Sequence, residues 1–174
     1  MKKEDIIFYE YQRLQNKWLT LSLIPINLIF FYLTISQLLL NPHWENNLLM
    51  KAIFVILNII LILLSVNTLW INMITVINKE GILVHVKLCP FYTKCKSYSW
   101  DDISRAYVRR YLPFWEYGGY GIKFGRKGVA YNMSGNIGMQ LVLQNNKRVL
   151  IGTQKCQELL IALRDIENQK KSKE

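Results

Sequence analysis

Hydrophobic and polar positions follow three different periods along this chain. From Trp18 to Leu40, "WLTLSLIPINLIFFYLTISQLLL" runs 23 residues without a charge, and "AIFVILNIILILLSVNTLW", Ala52 to Trp70, adds 19 more. A helix needs about 20 such residues to cross a hydrocarbon core. The pattern predicts transmembrane helices at 18–40 and 52–70, joined by a short external loop, 41–51, that carries Asn41–Pro42. A cleaved leader is the poorer reading of the first run. It is too long, its 17-residue flank is mixed in charge, and no small-residue cleavage site follows.

From residue 71 the period shortens to two. "NMITVINKEGILVHVKL" reads as two strands about a Lys79–Glu80–Gly81 turn, with Ile82, Val84 and Val86 on one face. "FYTKCKSYSW", "DISRAYVRRY", "GYGIKFG" and "KGVAYNM" continue the pattern, and "GMQLVLQNNKRVLIGT" is a hairpin turning at Asn145–Asn146. At Thr153, a candidate N-cap, a helical period returns, with Leu159, Leu160, Leu163 and Ile166 as its apolar stripe. The tail, 169–174, has no apolar residue and is expected to be disordered. The expected fold is a membrane α-helical hairpin followed by an α+β, mainly-β domain at 71–168. Its strands, about seven and antiparallel by the turn spacing, form a bent sheet or open barrel closed by one C-terminal helix. Residues 1–17 are read as a separate N-terminal segment.

Charge orients this arrangement. The chain carries a net +10, and residues 79–174 hold 17 Lys and Arg against 8 Asp and Glu. Lys2, Lys3, Arg13 and Lys17 precede the first span, Lys79, Lys87, Lys94 and Lys96 follow the second, and Lys51 stands alone between them. The positive-inside rule places both termini in the cytoplasm. Trp18 and Trp70 then fall at the inner interface and Trp44 at the outer one, where indole rings prefer to lie. Within the spans, Asn27 and Thr34 are spaced by seven, as are Asn58, Ser65 and Asn72. Asn in lipid needs a partner, so these five are read as helix-packing residues. A transport path would need an ionisable residue at depth, and neither span has one.

Cofactor and catalytic chemistry find little footing. Cys89, Cys95 and Cys156 lie on the side where thiols stay reduced, and with His85 their spacing is too loose for a structural zinc site. His43 has no second ligand candidate beyond Glu45, so no metal and no cofactor is expected. Asp101 and Asp102 are adjacent in a strand pattern and point to opposite faces, which excludes a paired carboxylate. Gly119 to Gly125 misses the dinucleotide fingerprint, and Gly125–Arg126–Lys127–Gly128 lacks the Ser or Thr of a phosphate loop. Both motifs also need a strand-to-helix setting, whereas this segment lies between strands. No enzyme activity is expected.

The ordered set of two spans, "NKEGILV", "SWDDISRAYV", "GYGIKF…GVAYNMSGNIGMQLVL" and "KRVLIGTQKCQELLIAL" resembles the bacterial pleckstrin-homology-like (PH-like) domains of small membrane-anchored proteins. The resemblance covers about residues 75–166 and implies a strongly bent seven-stranded sheet closed by a C-terminal helix. It implies no catalytic residues.

What remains is binding. "RRYLPFWEYGGYGIKFGRKG", Arg109 to Gly128, sits between strands and combines basic, aromatic and glycine residues. Arg109, Arg110, Lys123, Arg126 and Lys127 supply charge suited to an anionic inner leaflet, and Phe114, Trp115 and Tyr117 can enter a headgroup layer or a partner. A membrane tether speaks against nucleic acid. The expected role is a non-catalytic binding or scaffold protein of the inner membrane, its domain contacting a protein partner, lipid headgroups or a second copy of itself. The alternative is an accessory or regulatory subunit of a membrane complex acting through the polar-striped hairpin.

Overall fold

The computed structural model describes residues 6–14, 17–40, 48–125 and 127–171. Most of the expected external loop, Arg126 and the last three residues lie outside the described residues. The chain divides into two units, a helical one at 16–70 and a second built from 1–15 together with 71–174.

The helical unit consists of α1 (Lys17–Leu40), α2 (Leu48–Asn67) and a closing 3-10 turn at Thr68–Trp70. Apart from Lys17 and Lys51, uncharged and mostly apolar side chains fill both helices, and α1 accommodates Pro25 in its interior. At 24 and 20 residues they extend about 36 and 30 Å at the 1.5 Å rise of an α-helix. Both are long and apolar enough to cross a membrane. Their apolar side chains are largely exposed, Leu28, Tyr32, Leu48 and Leu63 among them. The polar residues point at each other instead. Asn27 Nδ2 donates to Ser65 Oγ at 2.8 Å, and Asn58 Nδ2 donates to Thr34 Oγ1 at 2.8 Å. The seven-residue spacing on each helix thus becomes one antiparallel register of two hydrogen bonds. Asn72 does not join it. The helix ends at Asn67, and Asn72 opens a strand between Arg13 and Lys87.

The second unit contains nine strands among the described residues, arranged in two sheets. The first sheet is a meander, β1 (Ile6–Arg13), β2 (Asn72–Asn78), β3 (Gly81–Cys89) and β4 (Tyr92–Ser99), all antiparallel. Residues 1–17 are therefore not a separate segment, because Ile6–Arg13 pairs along β2 and buries Phe8, Glu10 and Gln12. The helical hairpin is an insertion in this sheet. The chain leaves it after Leu14, whose N–H donates to the Ile71 carbonyl at 3.2 Å.

β5 (Ile103–Arg110), β6 (Gly121–Gly125), β7 (Gly128–Asn132), β8 (Ile137–Leu143) and β9 (Arg148–Gly152) form the second sheet, in the order β5-β8-β9-β7-β6. Two expectations fail here. The described strands make two sheets in place of one bent sheet, and β7 runs parallel to β9 in place of an all-antiparallel arrangement. A parallel pair leaves no local turn signal, so the sequence pattern cannot reveal it.

One core lies between the sheets and beneath α4 (Cys156–Lys171). Met73, Ile77 and Val84 from the first sheet meet Met139, Leu141 and Ile151 from the second, with Leu159, Leu163 and Ile166 of α4. The α4 stripe differs from expectation by one turn position: Ala162 is buried and Leu160 is exposed. The helix also continues to Lys171, through residues 169–171 that the composition marked as tail. Thr153 stands two residues ahead of the cap position. Its hydroxyl accepts from Lys155 N at 3.0 Å and donates to Glu10 Oε2 at 2.7 Å, while Gln154 N donates to Glu10 Oε1 at 2.7 Å. Gln12 Nε2 adds a bond to the Gly152 carbonyl at 2.8 Å. The first strand is thus tied to the segment that launches the last helix.

Candidate functional site

β7 and β9 explain the segment that opens the site. In "GVAYN" and "RVLIG", Val129, Tyr131, Val149 and Ile151 face the main core, while the alternate residues Ala130 and Leu150 face the other way. Both of those are also fully buried, so both faces of the sheet are covered here. A continuous apolar run, in place of alternation, is what two-sided burial requires. The cover on the second face is the single helical turn α3 (Pro113–Tyr117) with its flanks. Tyr111 and Tyr117 pack on Ala130 and Leu150, their rings edge to face at 6.2 Å. Burial pushes the Tyr111 phenol up to about 12 and raises that of Tyr117 as well.

Local chemistry shapes the turn. Pro113 at the first helical position supplies its fixed φ where no N–H partner is needed. Gly118 ends the turn at φ 74°, the left-handed conformation that favours glycine, and its N–H returns to the Phe114 carbonyl at 3.0 Å. Gly125 answers a different need. A Cβ there would lie 2.5 Å from the Glu116 carbonyl oxygen, so β6 approaches α3 only because that side chain is absent.

A charged clasp holds the turn against the sheet. Glu116 Oε2 accepts from Arg109 Nη2 at 2.8 Å and meets Lys127 Nζ at 3.2 Å, and Oε1 accepts from Arg109 Nη1 at 3.2 Å and from Leu112 N at 3.0 Å. The Arg109 bond, chiefly, holds the Glu116 carboxyl down at about 2. Burial would lower the Arg109 guanidinium, yet its bond and charge pairing with Glu116 hold it above its ordinary value. Arg109 continues inward, donating from Nε to Gln140 Oε1 at 3.0 Å, and the buried Gln140 donates to the Val149 carbonyl at 3.2 Å. Charge-assisted bidentate pairs are the strong members of their class.

The result is a fixed display. Leu112, Phe114 and Trp115 are 59, 65 and 89% exposed, next to side chains that are clamped or buried. Phe114 leans edge-on to Tyr120 at 5.7 Å, and Trp115 projects furthest.

The sequence-predicted set therefore divides. Phe114 and Trp115 are at the tip. Arg109 belongs to the clasp, and Lys127 contributes to it with its side chain half exposed. Tyr117, expected outside, is 4% exposed and anchors the turn from within, because its ring covers Leu150. Arg110 is exposed at the end of β5, and Lys123 sits opposite Ala130, on the α3 side of β6. Arg126 lies outside the described residues. Glu116 was not singled out by the sequence reading. Its only signal is that it is the one acid among the cations of the stretch. No group of three His, Cys, Asp or Glu side chains among the described residues could hold a metal ion.

These elements define a class by architecture: an apolar helical hairpin inserted between the first two strands of a two-sheet β unit with a C-terminal helix. Comparison with protein-family models, with curated proteins and with solved structures finds no match to the chain.

Proposed function

We propose that this is a non-catalytic, membrane-anchored binding protein. Its hairpin spans the inner membrane twice, and its PH-like β unit, with both termini, stands in the cytoplasm. There it touches the anionic surface through Leu112, Phe114 and Trp115. The observation that carries the reading is the clasped tip: three exposed apolar side chains held outward by Arg109, Glu116 and Lys127. Apolar side chains displayed beside cations suit a headgroup layer, where each basic residue contributes about 1 kcal/mol.

The chain's path supports the anchoring. It leaves and re-enters the β unit at the hydrogen-bonded pair Leu14 and Ile71, so a hairpin that crosses twice returns to its own side. Two helices whose apolar surfaces are exposed need a lipid environment or another protein to cover them. The Asn27–Ser65 and Thr34–Asn58 bonds occupy the hairpin's polar stripe internally, which favours anchoring over signalling through that stripe.

A fluorophore tests this on the full chain in vesicles, attached at Leu112→Cys with the three native cysteines changed to serine. Emission should shift blue with phosphatidylglycerol, revert at high salt, and stay unshifted in Phe114→Ala/Trp115→Ala. Water-like emission at low salt, whatever the lipid, would refute the lipid contact.

A further inference from the structure

The second face of interest shares Lys127 with the clasp but none of the exposed tip residues Leu112, Phe114 and Trp115. A groove of about 690 Å³ opens between the edge strand β4 and the β6–β7 and β8–β9 ends of the second sheet. It falls in the range of small-ligand sites, about 300–1,000 Å³. Period two places Lys94, Lys96 and Tyr98 of β4 on one face, and all three line it. Lys127, Lys147 and Arg148 enter from the opposite side, at the two hairpin ends. Five cations thus line the groove, Lys127 with its ammonium already paired to Glu116, and no carboxylate is among the lining residues. Lysines on an edge strand also discourage strand pairing, but that role does not call for cations from two further turns facing them.

The floor is of another kind. Tyr98 and Tyr131 meet there, their hydroxyl oxygens 3.5 Å apart, over Val129 and Val149. When one hydroxyl donates to the other, the second keeps its hydrogen for a ligand. Burial, chiefly, raises the Tyr98 phenol above its ordinary value, and its hydroxyl donates to that of Tyr131. Phe124 forms an apolar wall, with Lys94 Nζ 5.7 Å from its ring centre.

We propose that this groove binds a phosphate-bearing amphiphile, its phosphate among the lysines and Arg148 and its apolar part against Phe124 and the tyrosines. Cations, hydroxyl donors and an apolar wall without a carboxylate make a complementary surface for a phosphomonoester attached to an apolar body. Such a group occurs on a lipid and on a soluble phosphate ester alike. The inference does not depend on the α3 tip or on its lipid contact.

Titration calorimetry on the full chain in phosphatidylcholine nanodiscs, with empty discs subtracted, tests it. The probes are dibutyryl phosphatidic acid, inorganic phosphate and uncharged dibutyrylglycerol. The phosphatidic acid should bind saturably at one site per chain. Its affinity should fall at least about tenfold in Lys94→Gln/Lys96→Gln and in Arg148→Gln. The charge-matched Lys155→Gln/Arg164→Gln should bind as the parent does. Inorganic phosphate binding as tightly as the phosphatidic acid would overturn the amphiphile and leave a simple anion site. No saturable binding, equal binding of dibutyrylglycerol, or equal loss in the charge-matched pair would overturn the site itself. Unchanged circular dichroism spectra for all variants exclude misfolding as the cause of a loss.

Discussion

Replacing residues 15–70 by a two-residue Asn-Gly turn should leave a soluble, cooperatively folding β unit. The pair to be joined is already in place, with Leu14 N bonded to the Ile71 carbonyl and β1 antiparallel to β2. Asn-Gly suits such a hairpin because both its residues tolerate positive φ. Shortening a flexible 56-residue connection to two residues would stabilise the fold by about 3 kcal/mol from closure entropy. The natural hairpin already holds its ends together, so the gain is smaller. The informative comparison is residues 71–174 alone, which lack β1. Phe8 is buried, and losing such a side chain costs about 3–5 kcal/mol. Losing Glu10 strips two charge-assisted hydrogen bonds from Thr153 and Gln154, about 1.5–3 kcal/mol each. The total, about 6–11 kcal/mol, is comparable to the whole stability of a small domain. Gel filtration without detergent, followed by urea unfolding read by circular dichroism, measures both chains. The reasoning fails if residues 71–174 alone unfold within about 1 kcal/mol of the joined chain, or if the joined chain is unfolded or insoluble.

Three further outcomes are expected of the clasp, the turn and the hairpin. Glu116→Gln in the joined chain should cost about 1–2 kcal/mol at pH 7, a figure reduced for water access from the roughly 3 kcal/mol that a fall from 4.5 to about 2 represents. Because the folded value is depressed, the stabilisation is complete above pH 4.5 and disappears as pH falls towards 2, so urea midpoints of parent and variant should converge over that window. Gly118→Ala should cost about 1 kcal/mol in the same assay, from backbone strain alone, since a Cβ there meets nothing within 4 Å, and Gly118→Asn should cost less. Asn58→Leu should weaken α1–α2 association by about 1 kcal/mol, measured on the full chain in detergent, by removing the bond to Thr34.

Local pattern carried much of this fold. The two charge-free runs read directly as helices, since apolar length is visible residue by residue. The turns at Lys79–Glu80–Gly81 and Asn145–Asn146, and the faces set by Ile82, Val84 and Val86, follow from period and turn chemistry alone. The exposure of Phe114 and Trp115 was legible from Pro113 and the glycines around them. By contrast, Ile6–Arg13 alternates too, yet its partner β2 lies beyond two long helices, and short-range signals do not cross 58 residues of intervening chain. Asn72 kept a helical spacing but fell past the helix end, because period does not mark where a helix stops.

Tertiary structure decided the rest, through pairings between residues far apart in sequence. The parallel β7–β9 pair buries Ala130 and Leu150 on a second face, and covering that face turns Tyr117 inward. Glu116 became the centre of the clasp because folding brings Arg109 and Lys127, 18 positions apart in sequence, onto the same carboxylate. The cationic groove needs β4 from one sheet and two turns from the other. Composition determined that the β unit would be basic; only the packing of two sheets determined which cations meet and which are neutralised by a carboxylate.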